Sequence, residues 1–339
     1  MNCLLLGYGY MGKIRHQVLR QHPLVKEITV VDPQPDLFAV DSGIRLWPKG
    51  KEIPWEKADA VFVCTPNNVT AELCIDGLRR CGRVFCEKPP GRNWEEFSRI
   101  AKAAQEAPGR ILSFGLNHRL HPAIEAAKAM VGPGGLGEIL YVKGTYGKSG
   151  GLRYRESWRN KQEISGGGIL LDQGIHMLDL FCFFLGPLRV VDAVLVDSFW
   201  KCQVEDNAFL LMRSAQGVPA FLHSSATLWK HTFRLEIGCK DGYLVASGLL
   251  SKTGSYGREQ LVIGRRQFED EALALGNPRE EILQFDRDES WEREVNDFLQ
   301  AVRENRAPRH GTLEAAGNVM AIIRDVYQLH KPEISERKG

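Results

Sequence analysis

Three side chains in this sequence have the types and spacing for moving a proton and a hydride. Asp172 and His176 stand four residues apart in the apolar stretch Leu170–Leu185, which reads as a helix. On an α-helix that spacing returns to one face, about 40° round. A carboxylate beside an imidazole fixes its tautomer and raises its basicity, which makes His176 a candidate general base for an alcohol proton. The third is Lys88, in Glu87-Lys88-Pro89, directly after the apolar run Arg83–Cys86. A cation at the carboxyl edge of a sheet would stabilise an alkoxide as hydride leaves it. Either Lys88 or His176 could accept the proton, because close ionisable groups titrate as a unit. Taken singly, His176 reads as a satisfied core residue and Lys88 as a surface turn. Asp179, one turn beyond His176, is expected to face solvent or to cap a structural contact.

A second group of residues could hold the hydride acceptor. Gly7-Tyr8-Gly9-Tyr10-Met11-Gly12 follows the apolar run Cys3–Leu6 and precedes a helical pattern. In that setting Gly7 permits a tight turn, Gly9 lets a diphosphate approach the backbone, and Gly12 lets the helix pack on the strand. The unpaired N–H groups at the helix start would face the anion. Asp32 closes the next strand and can accept hydrogen bonds from ribose hydroxyls while repelling a 2′-phosphate. Pro33-Gln34-Pro35 follows it, with no Arg, so NAD is favoured over NADP. Thr65, Pro66 and Asn67, after the strand-like Ala60–Cys64, and Glu87 with Lys88 complete the expected cofactor contacts.

Substrate contacts are expected from two places. Between Lys143 and Lys161 six basic residues face one acid, Glu156, a local charge of +5. Arg153, Arg155, Trp158 and Arg159 lie in it. Arg binds phosphate or carboxylate in a fork and aromatic rings stack on sugars, so an anionic sugar is one reading. The other is a solvated loop, or a subunit contact, whose Arg residues pair with acids elsewhere. Asn117 and Arg119, in Asn117-His118-Arg119, are the second place. Lys88, Asp172 and His176 would touch the substrate as well.

The elements that must position these groups change character near residue 117. Before it, apolar strands alternate with helices: Cys3–Leu6, Ile28–Val31, Ala60–Cys64, Arg83–Cys86 and Ile111–Phe114 are near-continuous apolar runs, as in a parallel sheet covered on both faces. After it come a helix at Pro122–Met130, a strand at Glu138–Tyr146, the apolar helix, and a β-rich stretch from Arg189 to about Arg265 that describes a mostly antiparallel sheet. Helices near Trp291–Glu304 and Thr312–Leu329 close the chain. The expected division is 1–117, 118–330 and a charged tail at 331–339, with the last helix able to pack back on the first domain.

Taken together, the glycine fingerprint, Cys64-Thr65-Pro66-Asn67, Glu87-Lys88-Pro89, Asn117-His118-Arg119 and the run Gly166–Asp179 resemble the Gfo/Idh/MocA family of oxidoreductases, over essentially the whole chain. The resemblance implies an α/β fold: an N-terminal Rossmann doubly wound parallel sheet, then an α/β domain with a large, mostly antiparallel open sheet. It implies an NAD-dependent dehydrogenase or reductase acting on a sugar, with Lys88, Asp172 and His176 catalytic. It also implies a homodimer or homotetramer built on the second sheet. One position departs: many relatives carry His five residues after the Thr of the TPN segment, and here Thr70 stands there. Alternatives are a dehydrogenase of a free aldose or inositol, and a non-catalytic sensor on the same scaffold.

Composition narrows the classes further. With 43% hydrophobic and 25% charged residues the chain is an ordinary folded protein rather than a disordered one. Lys plus Arg number 44 against 42 Asp plus Glu, a net +2, so no basic excess points to nucleic acid. No apolar run is expected to reach the ~18 residues that cross a membrane. Met1–Leu6 carries no leader pattern. The eight cysteines form no CxxC pair, so a metal site is not expected, and buried free thiols in a reducing cytoplasm are.

Overall fold

The computed structural model describes residues 1–34, 45–48, 50–251 and 253–329. The chain divides into two compact units. One comprises Met1–Asn117, Glu163–Gly166 and Ser290–Met320; the other comprises His118–Gln162, Gly167–Glu289 and the chain from Ala321 onward. The span 118–330, expected as one domain, is therefore interrupted, because Ser290–Met320 belongs with the first unit. The tail at 331–339 lies outside the described residues.

The first unit follows the alternation read from the sequence. It runs β1 (Asn2–Leu6), α1 (Tyr10–Gln21), β2 (Glu27–Val31), β3 (Arg45–Leu46), β4 (Ala60–Val63), α2 (Asn67–Arg80), β5 (Arg83–Cys86), α3 (Trp94–Gln105) and β6 (Ile111–Phe114). The strands are parallel, in the order β3-β2-β1-β4-β5-β6. That is the doubly wound order with its crossover point beside β1 and β4. Every residue of β4, Ala-Val-Phe-Val, is buried, as a strand covered on both faces must be. Phe62 stacks on Phe85 at 5.3 Å, and Phe298 from the helix Ser290–Glu304 meets both edge-on at 5.4 and 5.6 Å. The core of the first sheet is thus completed by a helix from the far end of the chain.

The second unit adds α4 (Pro122–Met130) and β7 (Ile139–Gly147). The short turn α5 (Gln162–Ser165) then leads to a wide, π-type turn at Leu170–Gly174 and to α6 (Ile175–Leu185). The strands β8 (Leu188–Val196), β9 (Asn207–Ser214), β10 (Pro219–Ser225), β11 (Thr232–Cys239), β12 (Gly242–Ser247), β13 (Glu259–Arg265) and β14 (Glu280–Phe285) follow. Two helices end the chain, α7 (Ser290–Glu304) and α8 (Leu313–Leu329). The eight-stranded sheet runs β14-β13-β12-β11-β7-β10-β9-β8 and is antiparallel except for β7 with β10. Its inner face takes α6. Gly144 makes this possible, since a Cβ there would lie 2.6 Å from Met177 and 2.8 Å from Phe181.

Three expectations need correction. Leu170–Leu185 is not α-helical throughout: the Ile175 N–H reaches back five residues to Leu170 O. β14 was not foreseen, because Glu280-Glu281-Ile282-Leu283-Gln284-Phe285 is an edge strand whose charges mask its period. The helical stretch Gln162–Leu185 is long and apolar enough to cross a membrane by length and composition, contrary to expectation, and 78% of its apolar window is buried inside the protein.

Candidate active site

In the first unit the three glycines of the fingerprint divide by task. Gly7 has φ +87°, and a Cβ there would lie 2.6 Å from Cys64 O; a Cβ on Gly12 would lie 2.2 Å from Gly7 O. Both are demanded by close backbone approach. Gly9 is exposed, and among the described residues nothing lies within 4 Å of a Cβ built on it. α1 begins there without a side-chain cap and without an acid in its first turn. Its first N–H groups and its positive dipole end are therefore open to an anion. Asp32 is fixed beside the turn: Tyr8 N donates to one carboxylate oxygen and Gln34 N to the other, both at 2.8 Å. Each oxygen keeps a second lone pair for a ribose hydroxyl. The residues present fit a dinucleotide.

Other expected contacts in this unit are spent on the fold. Asn67 is buried and donates to Ser165 O at 2.8 Å, and Asn117 donates to Ser290 Oγ at 2.9 Å. Glu87 accepts from Arg15 Nε at 2.6 Å, while Arg15 Nη2 holds Glu294 at 2.6 Å. The guanidinium also faces the rings of Phe85 and Trp291. Thr70, at the departing position, closes the Thr65–Pro66 turn by donating to Pro66 O at 3.0 Å. Lys88 follows β5 half-buried, and its peptide bond to Pro89 is cis.

The second unit gathers a polar cluster around His176. The His176 ring stacks on His118 at 3.8 Å and 17°, and His118 Nε2 lies 3.2 Å from Tyr146 Oη. Burial, then Tyr256 and Asp172, pushes the Tyr146 phenol well above its ordinary value. Gln173 Nε2 donates to Tyr256 Oη at 2.7 Å, and burial pushes that phenol up to about 12. Both tyrosines stay protonated through the neutral range and keep a hydrogen to donate. Asp172 takes Lys148 Nζ at 2.8 Å and has Arg159 Nε at 3.5 Å. The carboxylate expected to orient His176 is thus held by two cations.

Asp179 does not face solvent. It is fully buried and held by Arg119 through two contacts, at 2.8 and 2.5 Å. Arg119, expected in the substrate pocket, is committed to that pair. Much of the basic loop is likewise paired: Lys143 with Glu236 at 3.2 Å and Arg153 with Glu156 at 3.3 Å. Arg159 lies over Trp158 at 4.5 Å, and Arg155 is exposed.

Sequence reasoning missed Tyr256 and Glu205, and read Tyr146 only as one of the aromatic rings within the basic stretch. The alternation of β7 could have placed Tyr146 inward; Tyr256, in irregular chain, carried no signal. Glu205 is buried and accepts from Gly168 N at 3.0 Å, Leu170 N at 3.1 Å and Tyr327 Oη at 2.9 Å. It thereby anchors the start of the wide turn that carries Asp172. Among the described residues no group of three His, Cys, Asp or Glu could hold a metal ion, and all eight cysteines are free thiols.

Comparison with known proteins places these features in company. The family model described as "Oxidoreductase family, NAD-binding Rossmann fold" matches residues 1–115, and "GFO/IDH/MocA C-terminal domain" matches 124–245. The chain is 27% identical over 212 residues to a levoglucosan dehydrogenase of Pseudarthrobacter phenanthrenivorans, covering 58% of this chain and 54% of the relative. It is 34% identical over 145 residues to a D-glucoside 3-dehydrogenase of Escherichia coli, covering 43% and 40%. The chain thus spans about half the length, or less, of these curated relatives. Among solved structures, levoglucosan dehydrogenase with NADH and L-sorbose superposes with TM-score 0.81 at 21% identity, covering 97% of each chain. A 3-ketoreductase of Actinomadura kijaniata with NADP and TDP-benzene gives 0.78 at 20%, covering 98% of each.

Proposed function

Because the chain belongs to the GFO/IDH/MocA oxidoreductases, we propose that it is an NAD-dependent enzyme interconverting a sugar's ring hydroxyl and the corresponding ketone. The observation that carries this reading is the buried His176 imidazole, stacked on His118 and bordered by Tyr146, in a fold whose other unit presents Gly9 at an open helix start. The bound nicotinamide would supply the hydride acceptor. His176 takes the hydroxyl proton, and Lys88 lends positive charge to the alkoxide. Ketone reduction uses the same groups in reverse. Asp32 supports NAD over NADP, since a fixed carboxylate repels a 2′-phosphate.

The ion pairs bear on the substrate. Asp172 offsets one of the two charges of Lys148 and Arg159, and the exposed Arg153 pairs with Glu156. An anionic sugar would have to compete with these acids for its cations. An uncharged sugar would not, so a free aldose, an inositol or a glycoside fits the observed pairing better than a nucleotide-sugar or sugar acid. The outer face of the eight-stranded sheet exposes Val194, Leu211, Phe221 and Tyr141, which supports its burial against a second copy of the chain.

The test is NADH formation with two substrate sets, anionic and uncharged. Lys88→Ala combined with His176→Ala should let NAD binding survive and lower turnover about 10²–10⁴-fold or more. Unchanged turnover in the double variant refutes the assignment. A signal confined to the anionic set restores the basic loop as an anion clamp.

A further inference from the structure

The second unit carries an aromatic group that the proposed reaction does not use. Phe199 meets Trp200 at 5.0 Å and 88° and Trp229 at 4.8 Å and 82°. Phe199 is 54% exposed and Trp229 59%. The group is held rigidly. The Asp206 carboxylate accepts from the backbone N–H of Ser198, Phe199 and Trp200 at 2.9, 2.7 and 2.9 Å, and Trp200 Nε1 donates to Ala226 O at 2.8 Å. Trp229 itself sits at φ +55°, where a large side chain costs on the order of 1–2 kcal/mol. Strain of this kind persists only where the surroundings impose it, and here it turns an apolar ring toward solvent.

The group is continuous with the polar cluster on two sides. Trp200 lies 4.7 Å from Tyr154, whose ring faces Lys148 Nζ at 5.6 Å, and Lys148 is the partner of Asp172. Two residues beyond Trp229, His231 meets Tyr256 edge-on at 5.1 Å, and Tyr256 is held by Gln173, the neighbour of Asp172. The Lys148 backbone N–H donates to Ser225 O, where the 226–231 segment begins. Trp229 is therefore the crest of a segment whose two ends flank the residues around Asp172.

We propose that Phe199 and Trp229 form a second-ring subsite: a shelf on which the distal pyranose of a disaccharide or longer glycoside stacks while the ring to be oxidised lies at His176. This rests on the reading of the site as a sugar oxidoreductase. A pyranose has an apolar C–H face that packs on aromatic rings and equatorial hydroxyls that suit a charged rim. Such a rim exists, for Lys201 and Lys230 stand exposed in the same two segments. Those lysines argue against a second copy of the chain as occupant, because an isologous contact would bring like charges together.

The experiment compares methyl β-glucoside with the β-linked disaccharide cellobiose in the wild type, Trp229→Ala, and Trp229→Gly, which relieves the positive φ. Wild type is expected to favour the disaccharide in kcat/KM by about tenfold. Both variants should lose that preference and keep their rate on the methyl glycoside within about twofold. Equal treatment of the two sugars by wild type overturns the subsite, as does a parallel loss on both in the variants. A change of oligomeric state on light scattering in either variant also overturns it, in favour of a contact between copies. If neither sugar is turned over, glycosides are excluded as substrates, an outcome distinct from failure of the subsite. Calorimetric titration with cellobiose then decides the subsite: saturable binding lost in Trp229→Gly supports it, and no binding to wild type ends it.

Discussion

Arg15 has no accessible surface, and its guanidinium lies between Glu87 and Glu294. Two buried acids on one buried base form a unit that tolerates no partial loss. Arg15→Met should cost about 3–5 kcal/mol, because it takes the buried guanidinium away from both carboxylates; urea unfolding with a shift below 1 kcal/mol would contradict this. The glycines offer a cleaner contrast. Gly12→Ala drives a methyl into Gly7 O and should lower the urea midpoint, whereas Gly9→Ala meets open space. Gly9→Ala should leave stability within about 0.5 kcal/mol and raise the KM for NAD, the methyl standing where the diphosphate would approach. At this scale the sequence spoke plainly where chemistry is local. GxGxxG and Asp32 are read within one βαβ stretch. The partners of Asp172 were not legible, since Lys148 is 24 residues away and nothing local tells a free cation from a paired one. Nor could Glu87, in a motif that invites a cofactor role, be seen to face an arginine 72 residues earlier.

The wide turn Leu170–Gly174 is the element on which the cluster around His176 depends. Its hydrophobic pattern is that of a helix, and periodicity alone does not separate an α-turn from a π-turn. What distinguishes them here is Glu205, which draws the N–H groups of Gly168 and Leu170 onto one carboxylate. Burial raises the Glu205 carboxyl above its ordinary value of 4.5, against the pull of Tyr327 and the backbone donors. The unfolded chain therefore gives up this proton before the folded one does. The contribution of Glu205 to stability is full below pH 4.5 and declines as pH rises through the higher folded value. The stability gap between wild type and Glu205→Gln should accordingly be wider at about pH 5 than at about pH 8, measured by urea denaturation. A gap of constant size would mean that burial does not shift this group. The apolar strands of the first sheet and the helix Pro122–Met130 were readable because each is a contiguous pattern. β14 was hidden because an edge strand keeps charges that interior strands exclude.

For the molecule as a whole, one sheet is sealed and the other is half open. The outer face of the eight-stranded sheet alternates Val194, Leu211 and Phe221 with the buried Ala193, Leu210 and Leu222. If a second copy covers that face, Phe221→Glu should convert the assembly to a smaller species on light scattering while leaving the fold intact by circular dichroism. An unchanged mass would return the face to solvent. The alternation was visible in the sequence, but alternation says only which residues share a side.

The first unit takes its helix α7 from the end of the chain, with Val295, Phe298 and Leu299 seated against Phe62 and Phe85. That has a cost in time. On a ribosome adding ~5–20 residues per second, some 200 residues must emerge after β5 before its last core partner exists, roughly 10–40 s. Through that interval the nascent nucleotide-binding half shows a bare aromatic face to its surroundings. An N-terminal fragment ending at 117 would carry the same uncovered face permanently. Its natural fate is capture by a chaperone or aggregation, however complete its fingerprint looks in the sequence.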